Sequence, residues 1–342
     1  ILNHTIPGLT TMVLCFEDAC PEDKVQEAMD NVHHLLSTVT EAVESGELDP
    51  DYVPLIFVRV RNLAQFKAFG EKLTKQEVKS LCGVNFPKFN AENGYEYFAY
   101  LQDLNERFEE ILYGMPIIED PEVAYKETRM SELLGIRKIL DKYHELVLQV
   151  RVGGTDFSSV FGVRRGVDYS LYDVMTVREC LSDIINVCGR NNDYVISGPV
   201  WEYFRAPKEL MFEKLPTHDF EDYLIRRKPL VNNEIDGLLR EVILDKANGF
   251  IGRTVIHPTH IKFVNALMAV YKNNALLKAS IMTAQNAHRL GAGEAPPTII
   301  SAFLGSHLTE VLNKLEESSS EEAIVMGSKK QMKLGVAHIP EV

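Results

Sequence analysis

Short runs of apolar and β-branched residues recur along the chain, and most are followed by a longer segment with helical periodicity. The apolar runs, each a predicted strand, cover residues 11–16, 54–60, 81–86, 111–118, 146–152, 194–197 and 254–256. The clearest amphipathic segments between them cover residues 22–43, 91–110, 131–144 and 174–187. Alternation of strand and helix throughout a chain is typical of a parallel sheet with helices packed outside it.

This order of elements favours a TIM (β/α)8-type barrel, an α/β fold, whose first strand is missing or displaced. A doubly wound open sheet is the alternative, but the sequence has neither a glycine-rich dinucleotide fingerprint nor a Walker loop. The glycine-rich stretch GAGEAPP at residues 291–297 follows no predicted strand, so we interpret it as a loop. We predict a barrel domain over residues 1–259, C-terminal helices over 260–315 that form an oligomer contact, and a flexible tail over 316–342.

Composition and charge narrow the class of protein. The chain has 342 residues, 45% of them hydrophobic, which is enough for one barrel-sized domain and excludes a disordered protein. Its net charge of -13 argues against nucleic acid or an anionic membrane as a partner, because both need a concentrated positive surface. Five cysteines without a CxxC pair favour a reducing compartment. We therefore expect a cytoplasmic protein that binds a small molecule.

Ionisable residues follow nearly every predicted strand, at the end where TIM-barrel chemistry takes place. In chain order they are Glu17, Asp18, Arg59, Arg61, Lys88, Glu119, Asp156 and His257. A single strand-end carboxylate caps the next helix more often than it catalyses a reaction. Acidic and basic residues that share one rim also compensate one another's charge, and this recurrence favours an active site.

Two of these carboxylates have the character of Mg²⁺ ligands. Glu119 and Asp156 follow neighbouring strands, and paired carboxylates with water in the remaining positions are a common oxygen site for this ion. The glycines at 153–154 let a ligand approach the backbone, so Gly154 and Thr155 are predicted to contact substrate. Mg²⁺ at this place would chelate a 2-oxo acid or an enolate.

The basic strand-end residues suit the organic part of the substrate. Arg59 would bind a carboxylate through its planar guanidinium, and Lys88 would act as a point charge. Arg61 shares the strand parity of Arg59, so both side chains are candidates for the same task.

Six segments together resemble a known family. In order they are VLCFEDA, FVRVRN, GVNFPKF, PIIED, VGGTDFSSVFG and GFIGRTVIHPTHIKFVNAL. They resemble the motif series of the citrate lyase beta subunit and malyl-CoA lyase group, within the HpcH/HpaI aldolase superfamily of Mg²⁺-dependent TIM-barrel carbon-carbon lyases. The layout is most similar to the citrate-lyase-like carbon-carbon bond lyases of bacterial tellurite-resistance gene clusters. The resemblance spans residues 11–265 and implies a homo-oligomer of three or more subunits.

The resemblance assigns roles to individual residues. It implies that Glu119 and Asp156 ligate Mg²⁺ and that Arg59 binds the substrate carboxylate and the developing oxyanion. Glu17 and Asp18 match an acidic pair that orients this arginine. The family pattern is Arg, one residue, then Asn, whereas this chain has an extra arginine at Arg61.

The sequence also departs from the family. Cys15 stands where the family has an aspartate. The residues before 11 do not match the family's usual opening strand, so we expect either a truncated chain or a barrel that is completed differently. The acyl-CoA members carry an aspartate in a segment after the last strand, whereas the corresponding region here offers only Glu294. A CoA thioester is therefore a doubtful substrate, and a small carboxylate is favoured.

Three further features have both a functional and a structural interpretation. Arg164 and Arg165 lie between two glycines and are candidates for binding a phosphate or carboxylate, or for a solvated pair. For Trp201 we favour packing against a neighbouring helix over stacking on a ligand. For His257, which precedes a proline, we favour a structural role at a strand-to-helix corner over a role as a base.

The sequence thus supports one leading function and two alternatives. The leading function is a Mg²⁺-dependent lyase or aldolase that cleaves or forms a carbon-carbon bond next to a carboxylate through a metal-stabilised enolate. The first alternative is a non-catalytic or regulatory barrel that binds a metabolite. The second is enolate chemistry on a phosphorylated substrate without CoA, with Arg164 and Arg165 on the phosphate.

Overall fold

The computed structural model of the chain describes Ile6 and residues 9–204 and 233–268. The strands of this part are β1 Thr11–Cys15, β2 Leu55–Arg59, β3 Leu81–Phe86, β4 Tyr113–Ile118, β5 Val150–Val152, β6 Ile196–Gly198 and β7 Gly252–Arg253. The helices are α1 Val25–Glu44, α2 Leu63–Lys72, α3 Gly94–Phe108, α4 Pro121–Ala124, α5 Lys126–Lys142, α6 Gly154–Val160, α7 Met175–Cys188, α8 Asn233–Ala247 and α9 Pro258–Met268.

The seven strands form one sheet in chain order, from β1 at one edge to β7 at the other. Every neighbouring pair is parallel. Parallel neighbours in chain order, with helices in the connections, are the arrangement of a TIM-barrel-type fold, and this confirms the predicted fold class. All strand carboxyl ends consequently lie on one rim.

The two faces of the sheet pack differently. The outer face, with residues such as Ile56, Val58 and Val150, belongs to the large core shared with the helices. The inner face carries a smaller cluster that includes the following side chains: Val13, Leu55, Phe57, Tyr113, Met115 and Leu148. Because side chains alternate along a strand, Arg59, Asn85 and Arg151 continue the inner face toward the carboxyl ends.

The last strand differs from the prediction. The apolar run at residues 254–256 predicted it, but β7 is Gly252–Arg253. The strand ladder ends where the Thr254 N–H donates to Gly198 O at 3.3 Å, since Gly198 is the final residue of β6. A buried arginine in this strand is unexpected from the apolar pattern, and it is explained by ion pairs of Arg253 with Glu241 and Asp245 on α8.

The proposed domain boundaries stay predictions. The boundary at residue 260 falls inside α9, and the C-terminal helices beyond Met268 and the tail at 316–342 lie outside the described residues. The stretch at 291–297 also lies outside them. Within the described parts of the chain, no helix combines the length and the apolar character needed to cross a membrane.

Close packing between β3 and β4 predicts a strong effect of one methyl group. A Cβ added at Gly83 would overlap the backbone carbonyl of Tyr113, whereas a Cβ at Gly252 meets no atom within 4 Å. We expect Gly83→Ala to destabilise the fold by about 3 kcal/mol or more, because a strand backbone has to move. The matched control Gly252→Ala should change stability by less than about 1 kcal/mol. Urea unfolding measures both, and equal effects would contradict the packing described for β3.

Candidate active site

The acidic pair after β1 divides into a buried and an exposed member. The Phe16 N–H donates to Arg59 O at 2.8 Å, which carries the pairing with β2 beyond the last residue of β1. The side chain of Glu17 is 9% exposed and that of Asp18 is 68% exposed. The two adjacent carboxylates therefore differ strongly in their access to water.

Arg59, the last residue of β2, lies at the centre of the rim. Its guanidinium forms ion pairs with Glu17, with Asp18 at 3.2 Å and with Glu119 at 3.3 Å. Burial alone would lower the pKa of Arg59, but the three carboxylates, Glu119 most strongly, raise it above its ordinary value. Arg59 is thus a permanent cation that holds together residues from three strand ends.

Lys88 connects two of the same carboxylates from the end of β3. Its backbone N–H donates to Glu119 Oε1 at 3.0 Å, and its Nζ donates to Glu17 Oε1 at 3.0 Å. The hydrogen bond to Glu17 raises the pKa of the Lys88 amine. Its φ of 47° lies in the left-handed region, which is uncommon for a residue with a side chain and is often found at functional sites.

Glu119 presents one carboxylate oxygen to these donors and the other to Asp156. Lys88 N–H and Arg59 both contact Glu119 Oε1. A Cβ built on Gly153 would contact Glu119 Oε2 and lie 3.2 Å from Asp156 Oδ2, so both free oxygens border the same small space. Burial raises the pKa of Glu119 to about 7; Arg59 opposes this shift and the charge of Asp156 adds to it.

These two carboxylates fit a Mg²⁺ ion. In the described residues no group of three or more His, Cys, Asp or Glu side chains is arranged to hold a metal. Mg²⁺ does not require one, because it keeps several waters and is usually bound by one or two carboxylates together with substrate oxygens. The absence of a side chain at Gly153 leaves the space between Glu119 and Asp156 open for such an ion.

Arg61 lies in a different environment from Arg59. Its NH1 donates to Phe16 O at 3.1 Å and to Cys20 O at 3.0 Å. These contacts hold the loop that carries Glu17 and Asp18. Arg61 therefore binds the backbone on either side of the acidic pair, while Arg59 contacts the carboxylates themselves.

The arginine pair at 164–165 is not brought to this rim as a pair. Arg164 is exposed, whereas Arg165 is 4% exposed. Arg165 donates to Glu202 at 2.5 Å and to Val200 O at 2.7 Å, and it forms an ion pair with Glu241. The guanidinium of Arg165 is thus fully engaged by protein groups.

Trp201 and Thr155 belong to the surroundings of Arg165. The Arg165 guanidinium lies 4.7 Å from the centre of the Trp201 ring, and Trp201 is 1% exposed. Thr155 Oγ1 donates to Glu202 Oε1 at 2.8 Å. This contact ties the start of α6, and with it Asp156, to the segment after β6.

Gly154 and His257 are both in packed environments. A Cβ on Gly154 would overlap Leu171 and lie 2.8 Å from Pro199 Cβ. His257 Nδ1 pairs with Thr259 Oγ1 at 2.8 Å, and its ring stacks on Phe204 at 4.2 Å between centroids. These contacts place His257 at the start of α9.

Two polar residues of the inner face were not predicted from the sequence. Asn85 pairs in register with Arg59, and Arg151 pairs with Ile117 and Ser197. Both interrupt strands that otherwise carry apolar residues on this face. A polar residue at an inward position of a predicted strand is the sequence signal that identifies them.

The fold and rim define a TIM-barrel-type protein with acidic and basic residues at the strand carboxyl ends. The chain belongs to the family described as the C-C bond lyase of the TIM-barrel fold, whose profile matches residues 1–294. This confirms the resemblance seen in the six sequence segments.

Solved structures and a curated protein provide further comparisons. The match to the malate synthase of Haloferax volcanii covers 90% of this chain and 78% of that one, with a TM-score of 0.53 and 12% sequence identity. This similarity supports a shared fold. The citrate lyase beta subunit of M. tuberculosis, complexed with oxaloacetate and magnesium, has a TM-score of 0.43 at 17% identity, over 75% of this chain and 86% of that one. A glutamine synthetase of Bacteroides fragilis (strain YCH46) is 49% identical over 79 residues, 23% of this chain. The chain spans 11% of the length of that curated relative, so the activity of the relative is not assigned to this protein.

The difference in burial predicts different effects of neutralising the two adjacent carboxylates. Glu17→Gln removes a buried charge that compensates Arg59 and Lys88, so we expect it to destabilise the fold by about 1–3 kcal/mol. Asp18→Asn, the matched control, removes an exposed charge and should lower the free energy of unfolding by only about 0–1 kcal/mol. Urea unfolding of the two variants tests this. A loss of stability from Asp18→Asn as large as that from Glu17→Gln would contradict the described roles.

Proposed function

We propose that the chain is a Mg²⁺-dependent carbon-carbon bond lyase or aldolase that acts on a 2-oxo or 2-hydroxy carboxylate. One observation carries this proposal: Glu119 and Asp156 direct free oxygens at the same space beside Gly153, next to the cations of Arg59 and Lys88. Membership of the carbon-carbon bond lyase family supports the reaction class. The oxygen chemistry of the pair supports Mg²⁺ as the cofactor.

The residues of the rim have separate roles in the proposed reaction. Glu119 and Asp156 would hold Mg²⁺, which when bound chelates the acid and withdraws charge from it. Lys88 N–H holds Glu119 Oε1, and the other oxygen of Glu119 borders the space beside Gly153 that it shares with Asp156. Arg59 binds the substrate carboxylate and faces the negative charge that develops as the carbon-carbon bond breaks.

In the proposed reaction, the rate enhancement comes from the preorganised position of Arg59. Glu17 and Asp18 hold Arg59 in place before substrate arrives, so its charge needs no rearrangement during the reaction. Arg61 in turn fixes the loop that carries both carboxylates. The barrier falls through positioning and electrostatics, without a covalent intermediate on the protein.

The alternatives differ in what supports them. Phosphate binding by the pair at 164–165 lacks support, because the two side chains are not brought together: Arg164 is exposed, whereas the Arg165 side chain is 1% exposed and is bound by Glu202 and Glu241. Arg59 is also paired with carboxylates, but its side chain is 16% exposed and so accessible to a ligand. A non-catalytic metabolite-binding barrel is the second candidate, favoured by the departures at Cys15 and Glu294. The last departure also supports a substrate without CoA. The homo-oligomer, the cytoplasmic location and a link to tellurite resistance stay expectations from the sequence.

Mg²⁺ affinity tests the metal site. We expect Glu119→Gln, Asp156→Asn and Gly153→Ala each to weaken Mg²⁺ binding by about tenfold or more, the last because its methyl group fills the space between the carboxylates. Gly166→Ala is the matched control, since its Cβ would meet only Tyr169 at 3.8 Å. Isothermal titration of Mg²⁺ measures all four variants. Unchanged affinity in the three site variants would contradict the assignment.

Turnover separates the lyase from the binder. Oxaloacetate, pyruvate, glyoxylate and acyl-CoA esters are incubated with the Mg²⁺-loaded protein, and carbon-carbon cleavage or condensation is followed by mass spectrometry. We expect turnover of a free 2-oxo or 2-hydroxy acid, and none of it in Glu119→Gln. Thermal stabilisation by one of these acids without turnover would favour the non-catalytic barrel.

A further inference from the structure

Arg151 is a buried arginine without a carboxylate partner. It lies on the inner face of β5 and is 7% exposed. Its NH2 donates to Thr254 Oγ1 at 2.7 Å, and its NH1 is buried without a hydrogen bond. Among the described residues no carboxylate lies within ion-pair distance of it.

The other buried arginines of the described chain are all paired. Arg129 lies 3.1 Å from Asp183, Arg165 lies 2.5 Å from Glu202, and Arg253 lies 2.5 Å from Asp245. Buried charges in proteins are almost always compensated, because an unpaired one costs several kcal/mol of desolvation. The exception at Arg151 points to an anion that the protein binds at this place.

Asn85 adds a second unpaired group to the same inner face. The residue is fully buried, and neither its amide nitrogen nor its amide oxygen has a hydrogen-bond partner. It pairs in register with Arg59, whose Nε is also buried and unpaired. Unpaired buried amides are rare in folded proteins, and each costs about 1–3 kcal/mol.

Arg151 lies within electrostatic reach of the charged residues of the rim. Four carboxylates and three cations come together there, with Arg151 close enough for Arg59 and Glu119 to shift its pKa. They are Glu17, Asp18, Glu119, Asp156, Arg59, Lys88 and Arg151.

We propose that Arg151, assisted by the amide of Asn85, binds a second carboxylate of the substrate on the inner face of the barrel. The substrate is then a dicarboxylate whose other end, the 2-oxo or 2-hydroxy acid, lies at Glu119, Asp156 and Arg59. This inference rests on the proposed function for that first end. Arg151 and Asn85 are thus specificity residues, which select diacids over monoacids.

The protonation state of Arg151 agrees with this role. Burial lowers the pKa of its guanidinium to about 10, with the charge of Arg59 adding to the shift and Glu119 opposing it. The group is still a cation at neutral pH, and its charge is available to a carboxylate. A ligand carboxylate would accept a charge-assisted hydrogen bond from the unpaired NH1 and so supply the partner that this nitrogen lacks.

Racemic malate and racemic lactate form a matched pair of probes, since they are 2-hydroxy acids that differ by one carboxylate. We expect the Mg²⁺-loaded full chain to bind malate about tenfold or more tightly than lactate, the worth of a charge-assisted hydrogen bond. Arg151→Met should abolish the preference and leave Mg²⁺ and lactate affinity unchanged; Asn85→Leu should reduce it. Arg137→Met is the control, because Arg137 pairs with Asp141 on α5 and with Asp193 in the segment after α7.

Isothermal titration with and without Mg²⁺ separates the two proposals. Equal malate and lactate affinities in the wild type, or a preference that survives in Arg151→Met, would overturn the second-carboxylate site even if Mg²⁺ binds. Absence of Mg²⁺ binding with a malate preference that requires Arg151 would instead contradict the proposed function and support the anion site.

Stability distinguishes a binding role from a structural one. If Arg151 exists for a ligand, Arg151→Met removes an uncompensated buried charge and should raise the urea midpoint of the ligand-free protein. A lower midpoint would assign Arg151 a structural role and overturn the proposal. The same comparison shows directly whether the variant folds.

Discussion

The buried carboxylate of Glu119 is the group on which the rim depends. It stands at the end of β4 with one oxygen held by Lys88 N–H and Arg59 and the other directed at the space it shares with Asp156. A buried carboxylate beside another is costly, as the raised pKa of Glu119 indicates. A divalent cation bound between the two carboxylates would relieve that cost. The remaining contacts of the rim maintain this arrangement.

Parallel strands in chain order make the arrangement possible. Each strand brings its carboxyl end to one rim, so residues far apart in sequence, such as Glu17 and Glu119, meet around Arg59. Buried ion pairs contribute little net stability, because desolvation offsets attraction. Their value here is geometric: they fix the orientation of Arg59 and Glu119 before a ligand binds. The same reasoning makes Arg151 significant, since its NH1 is buried without a hydrogen bond and no carboxylate of the described residues forms an ion pair with it.

Much of the fold was predictable because apolar runs and helical periods are local signals. The alternation of the two predicted the parallel sheet, and six of the seven strands overlap predicted runs. The strand β7 was misplaced, because Arg253 is buried through ion pairs with Glu241 and Asp245 on the preceding helix α8, and the apolar run at residues 254–256 does not reveal these contacts. The identity of the rim residues followed from strand ends. The direction of individual side chains did not: Arg61 and Arg165 are bound to protein groups that lie elsewhere in the sequence.

We propose above all that a divalent cation binds between Glu119 and Asp156. Crystals of the full chain grown with Mn²⁺, which replaces Mg²⁺ at oxygen sites and scatters anomalously, test it most directly. We expect an anomalous peak coordinated by one oxygen of Glu119 and one of Asp156, with the remaining positions filled by water or substrate oxygens. A peak elsewhere, or no peak at saturating Mn²⁺, would contradict it.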